Sequence, residues 1–179
     1  MIRRSLLLCG LVLTLAAAPA AAQGFLSATV GRAMGGLMNP ADLSAGGSLG
    51  FWSKKSLGVE GDLGFVRNIA GPKSLNARTI CVDVLFGPRI KKGAWRPFGL
   101  IGGGLLGAVT QVSDVFQFSS SKVENHFALQ AGGGVDGRLM KHLGVRIDVR
   151  YVRDLNFIAS PSLVKPFFIR FGAGLAFRF

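Results

Sequence analysis

Apolar residues recur at every second position over long stretches of this chain, and that period is the feature that most restricts its fold. In residues 57–66, Leu57, Val59, Leu63 and Phe65 alternate with Gly58, Glu60, Asp62 and Gly64. Residues 78–87 place Ile80, Val82, Val84 and Phe86 against Thr79, Cys81 and Asp83. In 127–138, Phe127, Leu129, Ala131 and Val135 oppose Ala128, Gln130, Asp136 and Arg138, and in 145–151, Val145, Ile147, Val149 and Tyr151 oppose Arg146, Asp148 and Arg150. The last segment, 167–179, sets Phe167, Ile169, Phe171, Ala173, Leu175, Phe177 and Phe179 against Phe168, Arg170, Gly172, Gly174, Ala176 and Arg178. A helix repeats every 3.6 residues and a strand every two, so these segments are strands with one apolar and one polar face. Weaker alternation at 25–34, 46–52 and 97–109 brings the count to eight. The segments between them, at 36–44, 53–56, 67–77, 88–96, 110–125, 140–142 and 154–165, are rich in turn residues.

The start of the chain reads differently. Arg3 and Arg4 precede an apolar run over 5–18, and Ala20-Ala21-Ala22 before Gln23 fits a small-residue cleavage site. Residues 1–22 are therefore expected to be a helical signal peptide, cleaved after Ala22, and 23–179 a single domain. The 21 basic and nine acidic residues fall to 19 and nine when Arg3 and Arg4 leave with the leader, a net charge of +10. Of the two cysteines only Cys81 remains, which rules out an internal disulfide.

A soluble β-sandwich and a membrane barrel both alternate, and they differ in which face meets the solvent. Here the polar face combines Gly and Ala with five acids, Glu60, Asp62, Asp83, Asp136 and Asp148, and five arginines, Arg138, Arg146, Arg150, Arg170 and Arg178. Small residues suit the inside of a narrow barrel, and opposite charges suit an internal ionic network. Together with the export signal, this predicts an eight-stranded antiparallel up-and-down transmembrane β-barrel, with short turns at one end and, in the main, longer loops at the other.

The end of the chain adds a resemblance. Leu175-Ala176-Phe177-Arg178-Phe179, with Phe171 and Ala173 on the same face, resembles the C-terminal signature of Gram-negative outer-membrane barrels. The whole mature segment is similar to the small OmpA/OmpX-like outer-membrane β-barrel family. The resemblance implies that Phe171, Ala173, Leu175, Phe177 and Phe179 form an assembly signal, read by the outer-membrane assembly machinery after escort by periplasmic chaperones. It implies a bacterial outer-membrane location with both chain ends in the periplasm. It says little about activity, because that family includes adhesins, structural proteins, small pores and some enzymes.

Several motifs carry rival readings. Residues 102–107 and 132–137 both match G-x-G-x-x-G, but neither opens a helical pattern that could hold a pyrophosphate. The uncharged run 97–113 could be a membrane helix, yet it holds five glycines and lies between regular strands. His126, with Ser119, Ser120 and Ser121 before it, invites comparison with lipid A deacylases that carry a lipid-facing His-x-Ser pair, but Ala128 stands where the serine would be. His142 falls in a short turn and reads as a solvated residue. Two histidines and two cysteines leave little for a metal site, and no cofactor is expected.

The ten polar-face charges are expected to plug the lumen, since eight strands enclose a space that side chains can fill. Lys54, Lys55, Arg89, Lys91, Lys92, Arg96 and Lys141 fall at periplasmic turns, and Arg67, Lys73, Arg78, Lys122, Arg153 and Lys165 toward external loops. These would meet outer-membrane lipids and lipopolysaccharide phosphates rather than nucleic acid, because they lie at two opposite ends. Trp52, Trp95 and Tyr151 fall where interfacial aromatics belong. The expected function is non-enzymatic, structural or surface-interacting. A narrow ion channel and a lipid-modifying enzyme are the alternatives. The external loops carry no motif that names a ligand.

Overall fold

The computed structural model describes residues 23–35, 38–53, 56–67, 75–88, 95–112, 120–155 and 167–179. Residues 1–22, expected to be a leader, and the basic residues Lys54, Lys55, Lys73, Arg89, Lys91, Lys92 and Lys165 lie outside them. Eight strands follow one another: β1 (Gln23–Gly35), β2 (Met38–Trp52), β3 (Leu57–Arg67), β4 (Leu75–Phe86), β5 (Trp95–Val112), β6 (Ser120–Arg138), β7 (Leu143–Asp154) and β8 (Phe167–Arg178). Each pairs antiparallel with the next, and β8 returns to β1. The sheet is a closed barrel without free edges, as a backbone surrounded by lipid requires. With an even number of strands, both termini emerge at one end, here called the terminal end; the β1–β2, β3–β4, β5–β6 and β7–β8 connections lie at the far end.

Closure reaches the last residue. Gly24 and Phe179 exchange two backbone hydrogen bonds of 3.0 Å each. The ring of Phe179 lies over Gly24, where a Cβ would come within 2.8 Å of its Cδ2 and Cζ atoms.

Polarity runs opposite to that of a soluble barrel. Glu60 and Asp62 of β3, Asp83 of β4 and Arg146, Asp148 and Arg150 of β7 point inward, while Leu63, Phe65, Ile80, Val82, Ile147 and Leu175 stand outward, each about half exposed. Such a wall is unfavourable in water and favourable against hydrocarbon.

Three expected boundaries change. The turn placed at 36–44 is mostly strand, because β2 begins at Met38 and the connection shrinks to 36–37. Gly35 takes φ 123°, the left-handed conformation that a tight reversal needs. The register with β1 shifts between Ala33 and Gly35. Pro40 thus lies in the irregular stretch of β2 beside this bulge, where its missing N–H costs little. The loop placed at 110–125 is likewise largely ladder, because β5 and β6 stay paired out to Val112 and Ser120. The start expected for β4 at Arg78 moves to Leu75, which pairs with Thr110.

Both glycine-rich motifs lie inside strands β5 and β6, and the run considered as a membrane helix is strand β5.

Candidate functional site in the barrel lumen

Period-two geometry puts Arg146, Asp148 and Arg150 of β7 on one inward face, beside Arg170 of the neighbouring β8 and opposite Glu60 and Asp62 of β3 and Asp83 of β4. Arg150 is the hub. Its Nη2 donates to Glu60 Oε1 at 2.6 Å and its Nε to Asp148 Oδ1 at 3.2 Å, while Nη1 lies 3.1 Å from Asp83 Oδ2 and 3.3 Å from Asp62 Oδ1. Arg146 holds the other oxygen of Glu60 at 2.6 Å and donates from Nε to Asp148 at 3.2 Å. Arg170 donates to Asp62 Oδ2 at 2.6 Å, and Gln130 Nε2 of β6 to Asp83 Oδ2 at 2.7 Å.

Buried carboxylates are tolerated only when paired, and a guanidinium can serve several at once through its five N–H groups. Such a network adds little net stability over a well-packed apolar core. Its stronger effect is on register. It links five strands across the lumen, four of them through charges, and a one-residue slip of any of those four would turn its charges toward lipid.

Glycines make the room. A Cβ on Gly64 would run into the Arg170 guanidinium, whose Cζ would lie 2.9 Å away. On Gly50 it would meet the Phe25 ring at 2.6 Å, and on Gly134 the Phe98 ring at 2.8 Å.

The charged layer lies between two apolar layers. Toward the far end, Ala33, Val66, Ala77, Leu106, Ala128, Val152 and Phe168 form one buried cluster. Toward the terminal end, Phe25, Trp52, Leu85, Phe98 and Leu100 form the other. The Arg146 guanidinium meets this second layer directly, 4.5 Å from the Phe98 ring centre and 5.1 Å from that of Phe25. Such contacts offset part of the cost of burying its charge.

Of the ten charges singled out from the sequence, seven meet in this network: Glu60, Asp62, Asp83, Arg146, Asp148, Arg150 and Arg170. Asp136 is buried nearer the terminal end, in register with Arg96 on one side and Arg146 on the other. Arg178 is half-buried at the terminal mouth. Arg138 is exposed, which corrects its expected place in the lumen: β6 ends at this residue, so its side chain clears the rim. Gln130 completes the network, although without a charge it gave no signal beyond its place on the polar face. Cys81 is buried and free.

Trp52 also corrects an expectation. It faces inward at 4% exposure, edge-on to Phe98 with centroids 6.3 Å apart and with the Arg96 guanidinium 4.8 Å from its ring. Trp95 and Tyr151 do face outward, at 52% and 37% exposure. His142 is exposed, but Nδ1 bonds to the Arg178 carbonyl at 3.0 Å and the ring stacks on Phe177. His126 points inward rather than to lipid, its Nδ1 2.5 Å from Asp154 Oδ2. Phe171, Ala173, Leu175, Phe177 and Phe179 all stand on the outer wall.

Solved structures share this closed, inside-out geometry. Neisserial surface protein A superposes with a TM-score of 0.66 at 16% identity, over 88% of this chain and 96% of the other. A major outer-membrane protein of Thermus thermophilus gives 0.61 at 15% identity, over 89% and 100%. This is the fold of the small eight-stranded outer-membrane β-barrels. A third barrel of the kind, Ail, the attachment invasion locus protein of Yersinia pestis, gives 0.54 at 14% identity over 88% and 95%. No protein-family model and no curated protein matches the sequence.

Proposed function

We propose that this chain is a closed, non-enzymatic barrel of the bacterial outer membrane, exported by its leader and acting as a structural or surface-interacting protein. The far end then faces outside and the terminal end the periplasm, and the last strand carries the assembly signal. The observation that carries this reading is the lumen: a network centred on Arg150, with apolar side chains filling the bore on either side of it. Water and ions would have to cross both apolar layers, so the interior favours a scaffold over a conduit. The half-exposed outer wall favours a lipid surround. The inward His126, bonded to Asp154 and followed two residues on by Ala128, does not favour a lipid-facing hydrolase. A surface role has a precedent in the fold, since the same architecture carries the attachment invasion protein of Yersinia pestis.

Conductance in planar bilayers tests the sealed lumen. Wild-type protein is expected to insert without stepwise current. Steps whose size changes in Arg146→Gln or Asp148→Asn would replace this reading with a narrow channel.

A further inference from the structure

Four arginines leave the barrel on its outer, lipid-facing side, all at one level. Arg32, Arg67, Arg78 and Arg153 are each exposed, and each adjoins in sequence a member of the far-end inner layer: Ala33, Val66, Ala77 and Val152. Successive strand residues point to opposite faces, so where the inner layer closes the bore, these arginines ring the outside. They sit on β7, β1, β3 and β4, an arc in which neighbours are one or two strands apart, roughly 5 to 10 Å at the usual strand spacing. At the terminal end the outward neighbours Leu26, Phe51, Val84, Phe86 and Ile101 of the inner layer are uncharged, and among the described residues the exposed cations Arg138 and Lys141 lie beyond it at the rim.

Below Arg32 the outer wall is not flat. A groove of about 440 Å³ runs across β1, β8 and β7, with Arg32 among its lining residues and Val30, Ile147, Val149, Phe171 and Ala173 forming its apolar surface. A cation above an apolar trough matches a lipid whose headgroup is anionic and whose chain descends the wall.

The geometry points to a site for a phosphate-bearing glycolipid of the outer leaflet, with phosphates held by the arginine arc and one acyl chain in the groove under Arg32. This rests on the reading that the far end faces outside. On that reading the arc lies at the level of the outer leaflet, which favours a glycolipid of that leaflet over phospholipid. Several arginines at lateral intervals also suit a headgroup that carries more than one phosphate.

The test is titration of folded protein in zwitterionic micelles with bisphosphoryl lipid A, its dephosphorylated form and phosphatidylglycerol, read by native mass spectrometry. Bisphosphoryl lipid A is expected to bind most tightly. Arg32→Gln should weaken it about fivefold, and the quadruple glutamine variant at 32, 67, 78 and 153 on the order of 100-fold. Ala173→Trp, which fills the groove with all four arginines intact, should also weaken it, whereas Lys141→Gln at the other end should not. Unchanged affinity in the quadruple variant and in Ala173→Trp, or equal binding of the dephosphorylated lipid, would overturn the site. Equal binding of phosphatidylglycerol would overturn the glycolipid assignment. Each sample is checked for a heat-dependent shift in gel mobility, the mark of a folded barrel; its loss in the wild type would overturn the outer-membrane reading itself rather than this site.

Discussion

Replacing Arg150 with methionine is expected to destabilise the folded barrel by about 3–5 kcal/mol, the range for removing one partner of a buried ion pair. Methionine keeps much of the volume, so the loss reports charge rather than a cavity. Glu60, Asp62, Asp83 and Asp148 all lie within 3.3 Å of the Arg150 side chain and would be left with a deficit of positive charge. Arg146 would still hold Glu60 and Asp148, and Arg170 would still hold Asp62. Asp83 would keep Gln130 but lose its cation. Two further variants separate this mechanism from general damage. Arg150→Lys, a point charge without the planar fork, should fall between wild type and methionine. Adding Asp83→Asn to Arg150→Met should recover part of the loss, since it removes the carboxylate left without a cation. The readout is the denaturant midpoint of the heat-shifted gel band in lipid vesicles. A loss under about 1 kcal/mol for Arg150→Met would mean that the network contributes little to holding the strands.

Deleting Phe179 is expected to leave the protein unassembled in cells and degraded in the periplasm. Two effects combine. The terminal aromatic is the last element of the proposed assembly signal, and the Phe179 backbone also closes the seam between β1 and β8 through its two bonds to Gly24. Phe179→Ser separates them, because it keeps the backbone pair and removes only the ring. That variant should fold in detergent with near-normal mobility yet reach the outer membrane poorly, whereas the deletion should also fold less stably in vitro, by about 1–3 kcal/mol for two lost hydrogen bonds. Normal membrane levels of the deletion would remove the assembly role, and normal levels of Phe179→Ser would assign the effect to closure alone.

The parts legible in the sequence are those where polarity and strand period agree. In β7 every inward position from Arg146 to Arg150 is charged and every outward one apolar, so the face of each residue follows from parity alone. The same holds for Glu60, Asp62 and Asp83. The apolar layers were not legible, because inside-out polarity fails where the bore must be filled. Phe98 and Leu100 point inward while Ile101 and Leu105 point outward, and β5 reads as apolar on both faces. Trp52 was misplaced for a related reason: its position at a strand end suits the interface, but its parity follows Ser48 and Gly50 into the lumen. Arg32 lies on a weakly alternating strand, and its place in a ring emerges only when the register sets it level with Arg67, Arg78 and Arg153. Gln130 needed the third dimension as well, since its partner Asp83 lies 47 residues away in the chain.

The two tryptophans test the inside-out barrel most directly. Trp52 ends β2 and Trp95 begins β5, so both lie near the terminal end, but one faces the lumen and the other the surround. Protein folded into vesicles containing brominated acyl chains should show strong fluorescence quenching in Trp52→Phe, where only Trp95 emits, and weak quenching in Trp95→Phe, where only Trp52 emits. Equal quenching of both, quenching of Trp52 alone, or protein that stays in water with neither quenched would contradict a barrel whose apolar face meets lipid.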